Sequence, residues 1–187
     1  MKKWDLIITP NRGWFELHFN EIFYYQDLLW LFVKRDFTTL YKQTILGPIW
    51  YLIQPMITTV VFTLIFNRVA KIPTDEMPPY LFYLTAIIAW NYFSYCFTNT
   101  SGTFTANAGL FGKIYFPRII IPLSKVFSGL VRFAAQSLMF FGFYFYYIMT
   151  GNNNINPSFN ILLIIPLLII QMSVLGLGLG MIISSLT

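Results

Sequence analysis

The sequence predicts an all-α polytopic membrane protein, with an N-terminal amphipathic helix at the membrane interface followed by four transmembrane helices. Three observations carry that reading. Hydrophobic residues make up 57% of the 187 and charged residues only 10%, against about 25% charged in an average soluble domain. The charges are also unevenly spread: the 55 residues from Phe133 to Thr187 contain no Lys, Arg, Asp or Glu. Uncharged apolar runs of about 18 or more residues read as membrane spans. Finally, the linkers IPTDEMPPY (72–80) and TGNNNINPSFN (150–160) are rich in the Pro, Asn and Gly that punctuate helices.

The chain, 1–187, reads as one transmembrane domain. Residues 1–48 form a cytoplasmic and interfacial segment, spans cover about 49–67, 80–100, 122–149 and 160–186, and 101–121 is a cytoplasmic loop. A 19-residue first span is about 28 Å long, close to the ~30 Å hydrocarbon core. Basic residues set the orientation. Lys2, Lys3, Arg12, Lys34, Arg35 and Lys42 precede the first span, and Lys113, Arg118 and Lys125 lie between the second and third. Only Arg68 and Lys71 fall on the other side, which places the N-terminus in the cytoplasm. Arg132, the remaining cation, reads as a snorkelling anchor near the cytoplasmic end of the third span.

Several classes of chemistry are disfavoured by the composition. The net charge of +5 is scattered among apolar spans, so it points to a membrane surface and not to nucleic acid. Cys96 and His18 are each the sole residue of their type, so neither an intrachain disulfide nor a His/Cys metal centre is expected. The start, MKKWDLIITPNRGWFELHFN, lacks an adequate apolar core, and no cleavable signal peptide is expected.

The segment before the first span has two faces. Leu29, Phe32, Val33, Phe37, Leu40 and Tyr41 share one arc of a helical wheel, while Lys34, Arg35, Thr38 and Lys42 share the other. Such a helix is expected to lie in the interface, basic face towards headgroups and cytosol. Gly47 then permits a turn, and Pro48 suits the first turn of a new helix. Pro55, inside the span, should free a backbone carbonyl and kink the helix.

Two blocks resemble the permeases of ATP-binding-cassette polysaccharide exporters, the ABC-2 type subunits that export O-antigen, capsule or teichoic acid chains. The first is Arg35-Asp36, Tyr41-Lys42-Gln43-Thr44, Leu46-Gly47, Trp50 and Gln54-Pro55. The second is Trp90-Asn91-Tyr92-Phe93, Asn107, Leu110, Lys113, Phe116-Pro117-Arg118 and Pro122-Leu123-Ser124. The blocks occur in the family's order, and the likeness runs from about Leu28 to the C-terminus. It implies a multi-pass subunit of the bacterial cytoplasmic (inner) membrane, working as a homodimer in contact with membrane lipids. Each copy would dock on a separate ATPase subunit and pass a lipid-linked polysaccharide. The chain has no G-x-x-x-x-G-K-[ST] phosphate loop, so ATP and Mg would be held by the partner, with no cofactor and no catalytic residue here. The family has six spans and this sequence offers four, ending at Ser184-Ser185-Leu186-Thr187 without a basic anchor. A C-terminally truncated permease is therefore expected.

The resemblance also assigns roles to residues. A short helix within 101–112, with Phe104, Asn107, Leu110 and Phe111, and Lys113 directly after it, would couple to the ATPase, its hydrophobic side chains exposed to the partner; a plain loop is the alternative. Arg35, Asp36, Tyr41 and Lys42 mark the interfacial or gate helix. Sugar rings stack on aromatic faces, so Trp50, Tyr51, Trp90, Tyr92 and Tyr95, which accompany Asn91, Ser94 and Asn99, are conduit candidates. FFGFYFYY (140–147) reads instead as an interfacial aromatic belt. Gly176, Gly180 and Ser184 form a small-x-x-x-small face for close helix packing, within the subunit or between subunits. Competing functions are export of a drug or lipid, a membrane-embedded transferase, and a scaffold. A transferase is disfavoured because no span contains Asp or Glu.

Overall fold

Five helices dominate the computed structural model, which describes residues 23–43, 49–74, 77–111, 116–150 and 161–186. They are α1 (Gln26–Gln43), α2 (Trp50–Phe62, continuing as a π-helix over Thr63–Val69), α3 (Pro79–Ser101), α6 (Ile120–Met149) and α7 (Ile161–Leu186). Two single-turn helices, α4 (Thr103–Ala106) and α5 (Ala108–Phe111), connect α3 towards α6. No strand occurs among the described residues. The helix bounds follow the apolar runs of the sequence closely. Expectations for residues 1–22, Gly47, Pro48 and Lys113, and for the linker over 151–160, lie outside the described residues.

The packing is that of a protein whose solvent is lipid. Three helices are long and apolar enough to span a bilayer: Trp50–Val69, Ile120–Met149 and Leu163–Leu186. Their outer surfaces are hydrocarbon, with Leu163, Leu167, Ile170 and Val174 of α7 all exposed. The interior mixes apolar residues such as Leu81, Leu84, Ile87 and Ile120 with small polar ones, and Thr59, Thr100, Ser124, Ser128 and Ser184 are buried. Small residues at helix contacts and apolar residues outside are what membrane packing requires. α3 is 23 residues long and uncharged but carries Asn91, Asn99 and several tyrosines. It tolerates them because α2, α6 and α7 all pack against it, so it has little lipid-facing surface.

The local sequence accounts for the helix ends. Pro79 opens α3 at its first turn, where a missing N–H is harmless. α2 ends in a widened turn: the amide of Ala70 donates to the Ile65 carbonyl, and Lys71 follows at φ 51°, reversing the chain. A lysine in this left-handed conformation costs roughly 1 kcal/mol.

α2 runs through Pro55, and the carbonyl that this proline frees finds a partner. Pro55 has no N–H to offer the carbonyl four residues back, which belongs to Tyr51. Gln136 of α6 supplies the missing donor, its Nε2 lying 3.1 Å from the Tyr51 oxygen. Irregular helices survive in membranes when a neighbouring helix satisfies the freed group in this way. Gln136→Leu should therefore destabilise the chain by about 1 kcal/mol or more, since it strands a part-buried carbonyl. In a Pro55→Ala background the restored N–H serves Tyr51, and the same substitution should cost much less. Thermal unfolding of the four variants in detergent measures this; equal losses in both backgrounds would disconnect Gln136 from the proline.

Over Leu29, Phe32 and Val33 the apolar arc of α1 is buried, and against protein. Leu29, Phe32 and Val33 form a core cluster with Phe116, Ile120 and Ile121 at the start of α6, with Phe37 packed beside it. Trp30, more than half exposed, still approaches Phe127 at 6.1 Å. The expected lipid-facing arc is thus a helix-packing arc, because the first turns of α6 offer it a complementary apolar surface. Asp36 on α1 and Lys125 on α6 close the contact at 2.6 Å, with Arg35 a looser second partner of Asp36 at 3.4 Å.

Candidate functional site

α2, α3 and α6 do not close completely on one another, and the gap is a cleft of about 230 Å³. α2 contributes Tyr51 and Gln54 to its wall, and α3 contributes Asn91, Tyr92, Ser94, Tyr95 and Thr98. From α6 come Gly129, Arg132, Phe133 and Gln136. Spacing explains the α3 set: residues 91, 94, 95 and 98 follow the three-and-four rhythm of one helix face. Gly129 is needed for close approach, since a Cβ there would stand 2.9 Å from Tyr95 Cδ1 and 3.2 Å from Tyr92 Cε2.

Arg132 dominates the electrostatics. Its guanidinium carbon lies 4.4 Å from the Tyr51 ring centroid and 4.0 Å from that of Tyr95, so two aromatic faces bracket the cation. Each such contact contributes about 0.5–2 kcal/mol, more when water is excluded. No carboxylate lines the cleft, and no ion pair involves Arg132 among the described residues. Its Nε is buried without a hydrogen-bond partner. The arrangement holds one positive charge among amides and hydroxyls, and Asp36, whose charge reaches Tyr95, is already committed to Lys125 and Arg35.

Tyr92 lies deeper and is committed elsewhere. Ser173 Oγ donates to the Ile169 carbonyl at 2.7 Å, so the 2.6 Å contact between Tyr92 and Ser173 uses the phenol as donor. This bond ties α3 to α7. Further along the same pair of helices, Gly176 and Gly180 press against α3. A Cβ on Gly176 would come within 2.8 Å of Cys96 Cβ, and one on Gly180 within 2.7 Å of Thr100 Cβ. Ser184 accepts a bond from the Phe104 amide at 3.0 Å, joining α7 to the connector.

Residues 27–187 match the profile of the ABC-2 type transporter family. The chain belongs to that family. Two O-antigen export system permease proteins RfbA from Klebsiella pneumoniae are 30% and 31% identical to it over 164 residues, which is 87% of this chain and 60% of each relative. An RfbA of Myxococcus xanthus is 26% identical over 113 residues, 60% of this chain and 43% of that protein. The chain thus spans about 60% of the length of the Klebsiella relatives. No solved structure matches it.

In this ABC-2 chain the residues singled out by sequence divide into three groups. Tyr51, Tyr92 and Tyr95 line the cleft, whereas Trp50 and Trp90 do not and project from the bundle, 46% and 66% exposed. Helical phase explains the split: Trp90 sits on the side of α3 opposite Tyr92, and Trp50 is rotated by one position from Tyr51. The coupling residues form the second group. Phe104, Leu110 and Phe111 are half-buried and not free anchors. Phe104 meets Phe111 at 5.9 Å, Phe111 stacks on Phe116 at 5.6 Å, and Leu110 packs on the α1–α6 cluster. Asn107 bonds back to the Thr103 carbonyl at 2.8 Å, capping its own turn. Arg35 and Asp36 of α1 form the third group, with Asp36 turned towards α6; Tyr41 and Lys42 fall in the last turn of α1.

Sequence reasoning misses Arg132, Gln54 and Gln136 as cleft residues. Arg132 is no free interfacial anchor, because Tyr51 and Tyr95 enclose it. The signals exist: it is the last charge before 55 uncharged residues, and a proline at 55 calls for an outside donor near residue 51.

Proposed function

We propose that this chain is the transmembrane subunit of an exporter that moves a lipid-linked polysaccharide across the bacterial cytoplasmic membrane, driven by a separate ATP-binding-cassette ATPase. The observation that carries the reading is the similarity to two O-antigen export permeases over 87% of the chain. The geometry agrees with it. A membrane subunit with a polar, aromatic cleft between its helices suits an amphiphile with a sugar-rich head, and the chain's own sequence holds no phosphate loop. Orientation follows the basic residues, with the N-terminus, α1 and the α4–α5 connector on the cytoplasmic side. There the connector, braced by Ser184 and the α1–α6 cluster, passes on the movement of the ATPase. Two copies enclose the conduit, and Trp50 and Trp90 serve it only if their outward surfaces face the second copy.

Deletion of the gene in the organism that carries it should remove long-chain polysaccharide from the cell surface and accumulate lipid-linked polymer inside. Surface polymer measured by gel staining and internal polymer in membrane extracts test this together. Undiminished surface polysaccharide with altered drug or lipid efflux would instead favour another substrate.

A further inference from the structure

The sequence leads one to expect bare aromatic faces open to sugar rings, but the faces of Tyr51 and Tyr95 that look into the cleft are taken by the guanidinium of Arg132. What remains is a partly exposed guanidinium whose Nε is buried and unpartnered, beside the amides of Gln54 and Asn91 and the hydroxyl of Ser94. A guanidinium presents a planar fork of donors that matches phosphate oxygens, and amides and hydroxyls complete such a shell.

The position of the cleft along the helices narrows the source of that phosphate. Tyr51 is the second residue of α2, and Tyr95 lies 6 residues before the end of α3 at Ser101. α6 has by contrast already run 12 residues from Ile120 to Arg132, about 18 Å. Those first turns of α6 belong to the contact with α1, outside the apolar part of α2. The cleft therefore opens at the start of α2, lies about 9 Å inside the end of α3 at Tyr95 and runs inward to Asn91, so Arg132 is within reach of a phosphate carried at the membrane surface.

We propose that Arg132, with Gln54, Asn91 and Ser94, forms a binding site for the phosphate group of a membrane-borne amphiphile. The preferred source is the phosphate that joins a polyprenyl carrier to its polymer, which rests on the function proposed above; an anionic phospholipid headgroup is the other source of the same chemistry. Tyr51 and Tyr95 hold the guanidinium in place without neutralising it.

Native mass spectrometry of the purified full chain in detergent tests the site, with farnesyl phosphate, farnesol, phosphatidylglycerol and phosphatidylcholine as probes. Farnesyl phosphate adducts should survive where farnesol adducts do not, and Arg132→Gln should weaken retention by about tenfold or more. Arg132→Lys should restore part of it, while Leu163→Ala, on the exposed face of α7, should leave it unchanged. Unfolding temperatures of the variants separate loss of binding from loss of fold. Preference for farnesyl phosphate over phosphatidylglycerol supports the carrier. Equal retention of the two supports a phosphate site while removing the carrier as its source. Retention unchanged in folded Arg132→Gln, or equal for farnesol and farnesyl phosphate, would overturn the site.

Discussion

Gly180→Leu should separate α7 from α3 and lower the stability of the chain by about 3 kcal/mol or more. A bare Cβ at this position already falls 2.7 Å from Thr100 Cβ and 3.0 Å from the Phe97 carbonyl oxygen. The second of these atoms is backbone and cannot rotate away, so the helices themselves must move. Separation would also break the bond from the Phe104 amide to Ser184, four residues further along the same face. A control lies two residues away. Gly178 meets nothing within 4 Å of an added Cβ, so Gly178→Ala should be neutral or stabilising by up to about 1 kcal/mol from helix propensity alone. Thermal unfolding in detergent, followed by circular dichroism, distinguishes the two. Equal tolerance of Gly180→Leu and Gly178→Ala would mean that α7 does not pack on α3 through this face.

The glycine face illustrates what is legible in the sequence. Helix positions are, because an uncharged apolar run in lipid has no alternative that satisfies its backbone. The spacing of Gly176, Gly180 and Ser184 announces a close contact, but not which helix it meets, because small-x-x-x-small marks a surface without naming a partner. Three residues of the α1 arc, Leu29, Phe32 and Val33, are buried as expected, but by Ile120 and Ile121 of α6. An apolar stripe on a helix records only that the face avoids water, and protein and lipid serve equally well.

The cleft is half legible for a related reason. Tyr51, Tyr92 and Tyr95 stand out as aromatics among polar residues, but Trp50 and Trp90 do so equally and face the other way. Arg132 reads as an anchor from its place near the end of the expected span, which does not show that rings from α2 and α3 flank its guanidinium. Depth in a bundle is relative: between Ile120 and Phe127 α6 packs on α1, while Val126 and Gly129 already meet Tyr92 and Cys96 of α3. The π-helix over Thr63–Val69 leaves no signal that periodicity could detect.

Asp36→Asn should release α1 from α6 at a cost of about 3 kcal/mol. The Asp36 and Lys125 side chains are 11% and 17% exposed and their charged atoms are 2.6 Å apart. An ammonium left in such a site keeps its desolvation penalty after its partner is gone, which is why removing one member of a buried pair costs more than the pair contributes. Arg35 does not compensate, since it is 43% exposed and its 3.4 Å contact is with the same carboxylate. The consequence is local: the apolar cluster of Leu29, Phe32 and Val33 loses the contact that fixes its register on α6. Trp30 reports on that register through its 6.1 Å approach to Phe127, though Trp4, Trp14, Trp50 and Trp90 must first be replaced by phenylalanine so that its emission can be read. In that background Asp36→Asn should shift Trp30 emission and lower the unfolding temperature. The exchanged pair Asp36→Lys with Lys125→Asp should recover much of both, because it restores the attraction with the charges reversed. Equal damage in the single and exchanged variants would show that side-chain shape at these two positions, and not charge, holds α1 to the bundle.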